Sequence, residues 1–300
     1  MGSSAVPLPQ PLPGLPAPRG MARALRAARV IHPFPTLLNV VATAGLAFVA
    51  ARGTPPAGLL TRMLLMMLCA QAAIGVTNDY FDRALDAETK PWKPVAAGIV
   101  SPGTAVAMAA ALILVTVVLA ATLGTAGFLL ALLGLISGLV YDARLKRTAF
   151  SAIPYMIAIP TLPLWVWATL GEWRAALWWL LPVGAMIGLA LHLQNTIADI
   201  DGDAAHGVQG LAHRLGAERS MLLGWAAFGA ALAVTVAIAP VVSYDLRWYG
   251  PAAGIALLCL TTSIGAYSLR RDGFALQLGF GLLGIGSAVL AAGWLGAVTR

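Results

Sequence analysis

Leu64-Leu65-Met66-Met67-Leu68-Cys69-Ala70-Gln71-Ala72-Ala73-Ile74-Gly75-Val76 carries no charge, and Asn78-Asp79-Tyr80-Phe81-Asp82-Arg83-Ala84-Leu85-Asp86 follows it almost at once. The first run is a membrane-grade segment, and the second places three carboxylates within eight residues at its end. Ionised groups in or beside lipid are costly and usually face a polar cavity or a partner. On a helix, Asn78, Asp82 and Asp86 are spaced four apart and share one face. Like charges on one face repel unless something positive stands between them. Carboxylate oxygens one turn apart suit a hard divalent cation such as Mg²⁺. The plain alternative is a solvated loop with scattered acids.

A second copy argues against that alternative. Asn195, Asp199 and Asp203 repeat the Asn-x3-Asp-x3-Asp spacing at a constant offset of 117 residues, again after an apolar run, Leu180 to Leu193. Asp79 and Asp201 add one more carboxylate to each cluster. Six of the chain's twelve acidic residues fall in these two stretches, so the acids are concentrated rather than spread for solubility.

The chain has 300 residues, 59% hydrophobic and 10% charged. Soluble domains carry roughly a quarter charged residues, so the composition excludes that class and points to a polytopic helical membrane protein. Cys69 and Cys259 lie in apolar runs and indicate no disulfide framework. The basic residues are not interleaved with aromatics on a soluble face, so nucleic acid is not an expected partner.

Residues 1–18 are Pro-rich and uncharged and read as a disordered tail. Residues 19–33 hold Arg19, Arg23, Arg26 and Arg29 at helical spacing, which suits a short basic helix lying on anionic lipid. A transmembrane domain over 34–300 follows. Nine spans are expected at about 34–51, 57–78, 103–123, 125–141, 151–170, 175–196, 220–240, 250–269 and 274–297, each near the roughly 20 residues a bilayer requires. The fold class is therefore all-α, a bundle of nine transmembrane helices. Fourteen Lys and Arg fall on the amino-terminal side of these spans and five on the other, which puts the amino terminus in the cytoplasm of a multi-pass protein of the cell (inner) membrane. Both Asp clusters then open on a central, cytoplasm-facing cavity.

The motifs resemble those of the UbiA-type intramembrane prenyltransferases. Asn78-Asp79-x-x-Asp82-x-x-x-Asp86, with Lys90-Pro91-Trp92-Lys93-Pro94 after it, looks like that family's first aspartate-rich motif. Asp199-Ile200-Asp201-Gly202-Asp203, continuing to Gly207, Gly210-Leu211 and Arg214-Leu215-Gly216, looks like its second. Tyr141-Asp142-Ala143-Arg144-Leu145-Lys146-Arg147 resembles the Tyr-plus-basic segment after its fourth span. The resemblance spans about residues 29–297 in the right order, and nine helices is also the family's number. Gly210, where relatives often carry threonine, is a departure.

The resemblance implies transfer of a polyprenyl group from a polyprenyl diphosphate donor to a small aromatic or lipid-like acceptor, dependent on Mg²⁺, through an allylic cation. It implies metal binding by Asp82, Asp86, Asp199 and Asp203, with Asn78 and Asn195 as further oxygen ligands. Asp79, Lys90, Lys93, Arg144, Lys146 and Arg147 are then expected around the diphosphate, where charge-assisted hydrogen bonds steady the leaving group. Lys93 and Tyr141 join the four aspartates as catalytic candidates, the tyrosine ring steadying the cation by about 0.5–2 kcal/mol. His192, a turn before Asn195, and Asn39, a polar group in the first span, are expected to line the acceptor pocket. Arg83 is placed to pair with the neighbouring acids.

A rival class is an ion-coupled transporter that binds its ions on the paired carboxylates. Such sites are expected near the bilayer midplane in broken helices, whereas these clusters stand at span ends beside bases. Alcohol phosphatidyltransferases also use intramembrane Asp and Mg²⁺, but with one Asp motif and a Gly-Ala-Arg run that this chain lacks.

Overall fold

The computed structural model describes residues 20–198, 200 and 208–298, without the side chain of Trp248, and its regular elements there are helices. The tail at 1–18, Asp199, Asp201 and Asp203 lie outside the described residues. Helices α1 (Met21–Ala28), α2 (Pro33–Ala51), α3 (Ala57–Thr89), α4 (Pro102–Ala121), α5 (Gly124–Ala143) and α6 (Ile153–Leu170) form the first half. Helices α7 (Leu180–Ile197), α8 (Leu211–Leu215), α9 (Ala217–Ala237), α10 (Ala239–Val242), α11 (Leu246–Arg270) and α12 (Gly273–Val298) form the second. Nine helices among the described residues are long and apolar enough to cross a membrane, in the order expected from sequence.

The largest difference from expectation is in α3. It does not stop at the end of the apolar run near residue 78 but continues as one 33-residue helix through the whole first acidic motif. The acids do not break it because cations from elsewhere in the fold meet them, as described below. Its end has a local cause. Pro91 disfavours helical backbone at the residue before it, and Lys90 leaves the helix with φ −137° and ψ 58°. A turn through Lys93 leads to Ser101, whose hydroxyl accepts from the Thr104 amide and caps α4, with Pro102 in the first turn.

Sequence neighbours pack together, α3 on α4, α5 on α6, α6 on α7 and α11 on α12, with α7 also against α9. A core of Trp165, Trp167, Phe228, Met63 and Leu283 runs between the two halves. In lipid the packing of small residues replaces the hydrophobic drive between helices, and Gly188 shows how. A Cβ there would strike the Tyr155 carbonyl and lie 2.9 Å from the Met156 Cα, so only glycine lets α7 approach α6 this closely.

The basic segment before α2 forms α1 and a short 3-10 turn, Arg29–Ile31. None of the α1 side chains is buried. Val30 by contrast inserts among Val76, Val95, Val100 and Ala105, which anchors the segment on α3 and α4. Gly75 makes room for it: a Cβ there would stand 3.0 Å from the Ile31 carbonyl carbon. His32 then turns the chain with φ 50°, strained for a side-chain-bearing residue, and Pro33 starts α2.

Candidate active site

The buried face of α3 carries Asp79, Asp82 and Asp86, spaced three and four residues apart, each under 10% exposed. Breaking a buried ion pair costs about 3–5 kcal/mol, because the remaining charge is left without a partner. Each of these carboxylates therefore needs a cation, and Lys93, Lys146 and Arg147 supply it, while His32 adds a hydrogen bond. His32 Nε2 lies 2.8 Å from Asp79 Oδ1. Lys93 Nζ lies 3.1 Å from the same Asp79 oxygen and 2.8 Å from Asp86 Oδ2. Lys146 Nζ sits 2.5 Å from Asp82 Oδ2, and Arg147 Nη2 lies 3.5 Å from Asp82 Oδ1.

The loops that bring these bases are short and follow directly from the sequence. Lys93 stands between Pro91 and Pro94, in a turn closed by its own amide on the Lys90 carbonyl. Burial pulls the Lys93 ammonium down, but its hydrogen bond to Asp86 and the charges of Asp79 and Asp86 outweigh that and hold it above the ordinary lysine value. A raised folded value contributes stability at pH below the unfolded value and loses it only as pH climbs through the folded one. Lys93 thus stays a cation throughout the neutral range.

Asn78 connects the two cation groups. Its Oδ1 accepts from Lys93 Nζ at 3.1 Å, and its Nδ2 donates to Asp142 Oδ1 at 2.9 Å. Asp142, at the end of α5 and 3% exposed, also accepts from the Thr77 hydroxyl at 3.4 Å and stands 4.0 Å from Lys146. The first motif and the basic segment after α5 are in this way one network. Asp142 and His32 carry no role in the sequence reading. Asp142 had a signal, being a carboxylate at a span end beside Tyr141. His32 had almost none.

Below this layer is a group of rings. Tyr141 lies edge-on to Tyr155 at 5.3 Å and to His192 at 6.0 Å. His192 is fully buried, its Nε2 2.9 Å from the Ser151 hydroxyl, which also accepts from the Leu211 amide at 2.9 Å. Tyr155 and Asn195 share a hydrogen bond between their side chains. Further along α3 toward its start, Asn39 lines a cavity of ≈130 Å³ with Gln71, Ile74 and Gly134, and its amide donates to the Pro35 carbonyl at 2.9 Å.

The structure therefore gathers Asn78, Asp79, Asp82, Asp86, Lys93, Lys146 and Arg147 at one place, with Tyr141, His192 and Asn195 grouped around Tyr155. Arg144 is exposed, and Lys90 is half-buried in the turn beyond α3. The contacts of Arg83 among the described residues are with Tyr80: its guanidinium lies 4.6 Å from the ring centroid and donates to the Tyr80 carbonyl. Asp199 and Asp203, half of the expected metal set, lie outside the described residues.

The donor set fits Mg²⁺ in kind. It consists of carboxylate oxygens and an amide oxygen, and Asp79 Oδ2 is buried without a hydrogen bond. Among the described residues no three His, Cys, Asp or Glu side chains converge on one point.

The UbiA prenyltransferase family model matches residues 38–280. The chain belongs to the UbiA prenyltransferase family. A digeranylgeranylglyceryl phosphate synthase of Methanoregula boonei is 33% identical over 226 residues, 73% of this chain and 77% of that one. A 4-hydroxybenzoate octaprenyltransferase of Photobacterium profundum is 27% identical over 200 residues, 66% of this chain and 70% of that one. The fold matches a UbiA homolog from Archaeoglobus fulgidus bound to GPP and Mg²⁺ with a TM-score of 0.71 at 16% identity, over 89% of this chain and 99% of that one. It matches a UbiA homolog from Aeropyrum pernix K1 with a TM-score of 0.65 at 20% identity, over 85% and 96%. This UbiA chain is an integral membrane prenyltransferase, and the transporter alternative is set aside: its relatives are prenyltransferases.

Proposed function

We propose that this UbiA prenyltransferase moves a polyprenyl group from its diphosphate to a polar acceptor, either a glycerophosphate-type alcohol or a hydroxybenzoate-type ring. The two relatives' names supply these acceptor classes. The observation that carries the reading is the alternation of cations and carboxylates along α3, where Lys93, Lys146 and Arg147 meet Asp79, Asp82 and Asp86. Such a row can accept a diphosphate where a divalent cation takes the place of its lysines on the carboxylates, so that no buried charge is left without a partner.

In this reading Asp82, Asp86, Asp199 and Asp203 hold Mg²⁺, with Asn78 and Asn195 as further oxygen donors. When bound, Mg²⁺ polarises the phosphate oxygens as a Lewis acid. Lys90, Lys93, Arg144, Lys146 and Arg147 receive the charge that grows on the diphosphate as its C–O bond breaks, so they stabilise the transition state more than the ground state. Asp142 orients the Asn78 amide and keeps Lys146 close to the motif. The Tyr141 and Tyr155 rings present π faces and edges and exclude water from the allylic cation. His192, held by Ser151, borders the acceptor side. Asn39 stands in the cavity with Ile74 and Gly134, whose apolar lining takes the isoprenoid tail.

Purified protein in nanodiscs with Mg²⁺, labelled prenyl diphosphates of several lengths and both acceptor classes tests this. Product should form with one acceptor class and stop with EDTA. Release of diphosphate with no prenylated product from any acceptor would remove the transfer reading.

We also propose that the amino terminus, α1 and both Asp motifs face the cytoplasm, with α1 on the lipid surface. The charge asymmetry supports this. Cysteines engineered near Arg174 should react with an impermeant thiol reagent added outside cells, and cysteines near Lys93 and Arg214 should not. External labelling at Lys93 would invert the orientation.

A further inference from the structure

Three oxygens from one helix converge on a single ammonium. Lys93 Nζ lies 3.1 Å from Asn78 Oδ1, 3.1 Å from Asp79 Oδ1 and 2.8 Å from Asp86 Oδ2. These are the donors that suit a hard divalent cation, and Asp86 and Asn78 are among the proposed metal ligands. We propose that the Lys93 ammonium and the first motif's divalent cation compete for one place, so that the cation loads there only when a diphosphate draws Lys93 away. This rests on the metal-dependent reading above and adds to it an order of binding.

The charges around Lys93 explain why the order follows. Asp79, Asp82 and Asp86 face Lys93 and Lys146 directly, with Arg147 at the edge and His32 on Asp79. Asp142 adds a fourth carboxylate beside Lys146, and the three fixed cations already offset most of this charge. A divalent ion arriving alone has to displace a lysine that is only 18% exposed, which leaves that ammonium without a counter-charge in a water-poor site. An ion arriving with a diphosphate brings roughly three negative charges that the displaced ammonium can meet. Lys93 suits the exchange as a compact point charge on a flexible stem, able to turn between partners without moving its backbone. The Asn78 amide needs no rearrangement, because Asp142 holds its Nδ2 and leaves Oδ1 aimed at the shared place.

The consequence is protective. A prenyl diphosphate meets its divalent cation and the Lys93 ammonium in one event, and the motif does not accumulate tightly held metal between turnovers.

The test uses Mn²⁺ as probe, with free ion read by electron paramagnetic resonance on the full chain in nanodiscs, with and without inorganic diphosphate. Wild type should gain one tightly held Mn²⁺ per chain, at least about tenfold tighter, only when diphosphate is added. Lys93→Met and Lys93→Gln should hold that additional ion without diphosphate, and Lys93→Arg should behave as wild type. Adding Asp86→Asn to Lys93→Gln should remove the gained ion, which places it on the first motif. A merely structural role for Lys93 would weaken metal binding in the neutral variants instead of strengthening it, and that result overturns the proposal. So does full Mn²⁺ loading of wild type without diphosphate, a measurement that needs no variant to fold. Absence of Mn²⁺ binding in wild type even with diphosphate would sink the metal-dependent reading itself, which separates the two failures.

Discussion

Asp86→Asn is expected to lose turnover by at least about 10³-fold, equivalent to about 4 kcal/mol of transition-state stabilisation at 1.36 kcal/mol per tenfold. The amide keeps the shape and one acceptor oxygen of the carboxylate, so the buried face of α3 stays packed. It cannot share a divalent cation with the same strength, and it no longer balances Lys93 at 2.8 Å. Asp82→Asn has the same expected size, because it removes the partner of Lys146 and Arg147. Expression and thermal melting in nanodiscs serve as the control for folding, and initial rates of labelled prenyl transfer as the readout. Near-normal turnover in any two of Asp82→Asn, Asp86→Asn, Asp199→Asn and Asp203→Asn would remove the shared-metal arrangement. Asp142→Asn is expected to differ in kind. It touches neither proposed metal nor diphosphate, and its loss acts through Asn78 and Lys146, so turnover falls less than with Asp86→Asn.

Lys146→Ala is expected to lower kcat by roughly 10²-fold, the scale of losing one donor to a developing anion. Lys146 belongs to the leaving-group side by its side-chain contacts: its Nζ meets Asp82 at 2.5 Å and lies 4.0 Å from Asp142. A contact that strengthens as the C–O bond breaks appears in kcat, while acceptor KM stays where it was. Steady-state rates with donor and acceptor varied separately decide this. Lys146→Arg should recover part of kcat, since a guanidinium restores the charge but not the point geometry of the ammonium. A Lys146→Ala enzyme with normal kcat and a raised acceptor KM would mean that the diphosphate and the acceptor have been placed on the wrong sides.

The membrane bundle could be read from sequence because the bilayer imposes a local rule. Every span needs about 20 apolar residues, whatever its neighbours are. The nine expected segments match nine helices among the described residues in order, because composition alone settles that each exists, though not that α3 runs on to Thr89. The first acidic motif was legible for a related reason: carboxylates at the end of an apolar run are expensive, and the four-residue spacing of Asn78, Asp82 and Asp86 gives them a shared face on a helix before any partner is known.

What the tertiary structure decided is which charge answers which. His32 reaches Asp79 across 47 residues, and Lys146 reaches Asp82 across 64. No periodicity encodes such contacts; they follow from Gly75 admitting the Ile31 backbone and from α5 packing on α3. The continuation of α3 to Thr89 was hidden in the same way, since a helix through so many acids is stable only when distant bases neutralise it. Asp142 shows the boundary most clearly. Its residue type and its place at a span end were visible in the sequence, but its hold on Asn78 exists only once two helices lie side by side, because hydrogen-bond partners are chosen by distance in space and not by distance along the chain.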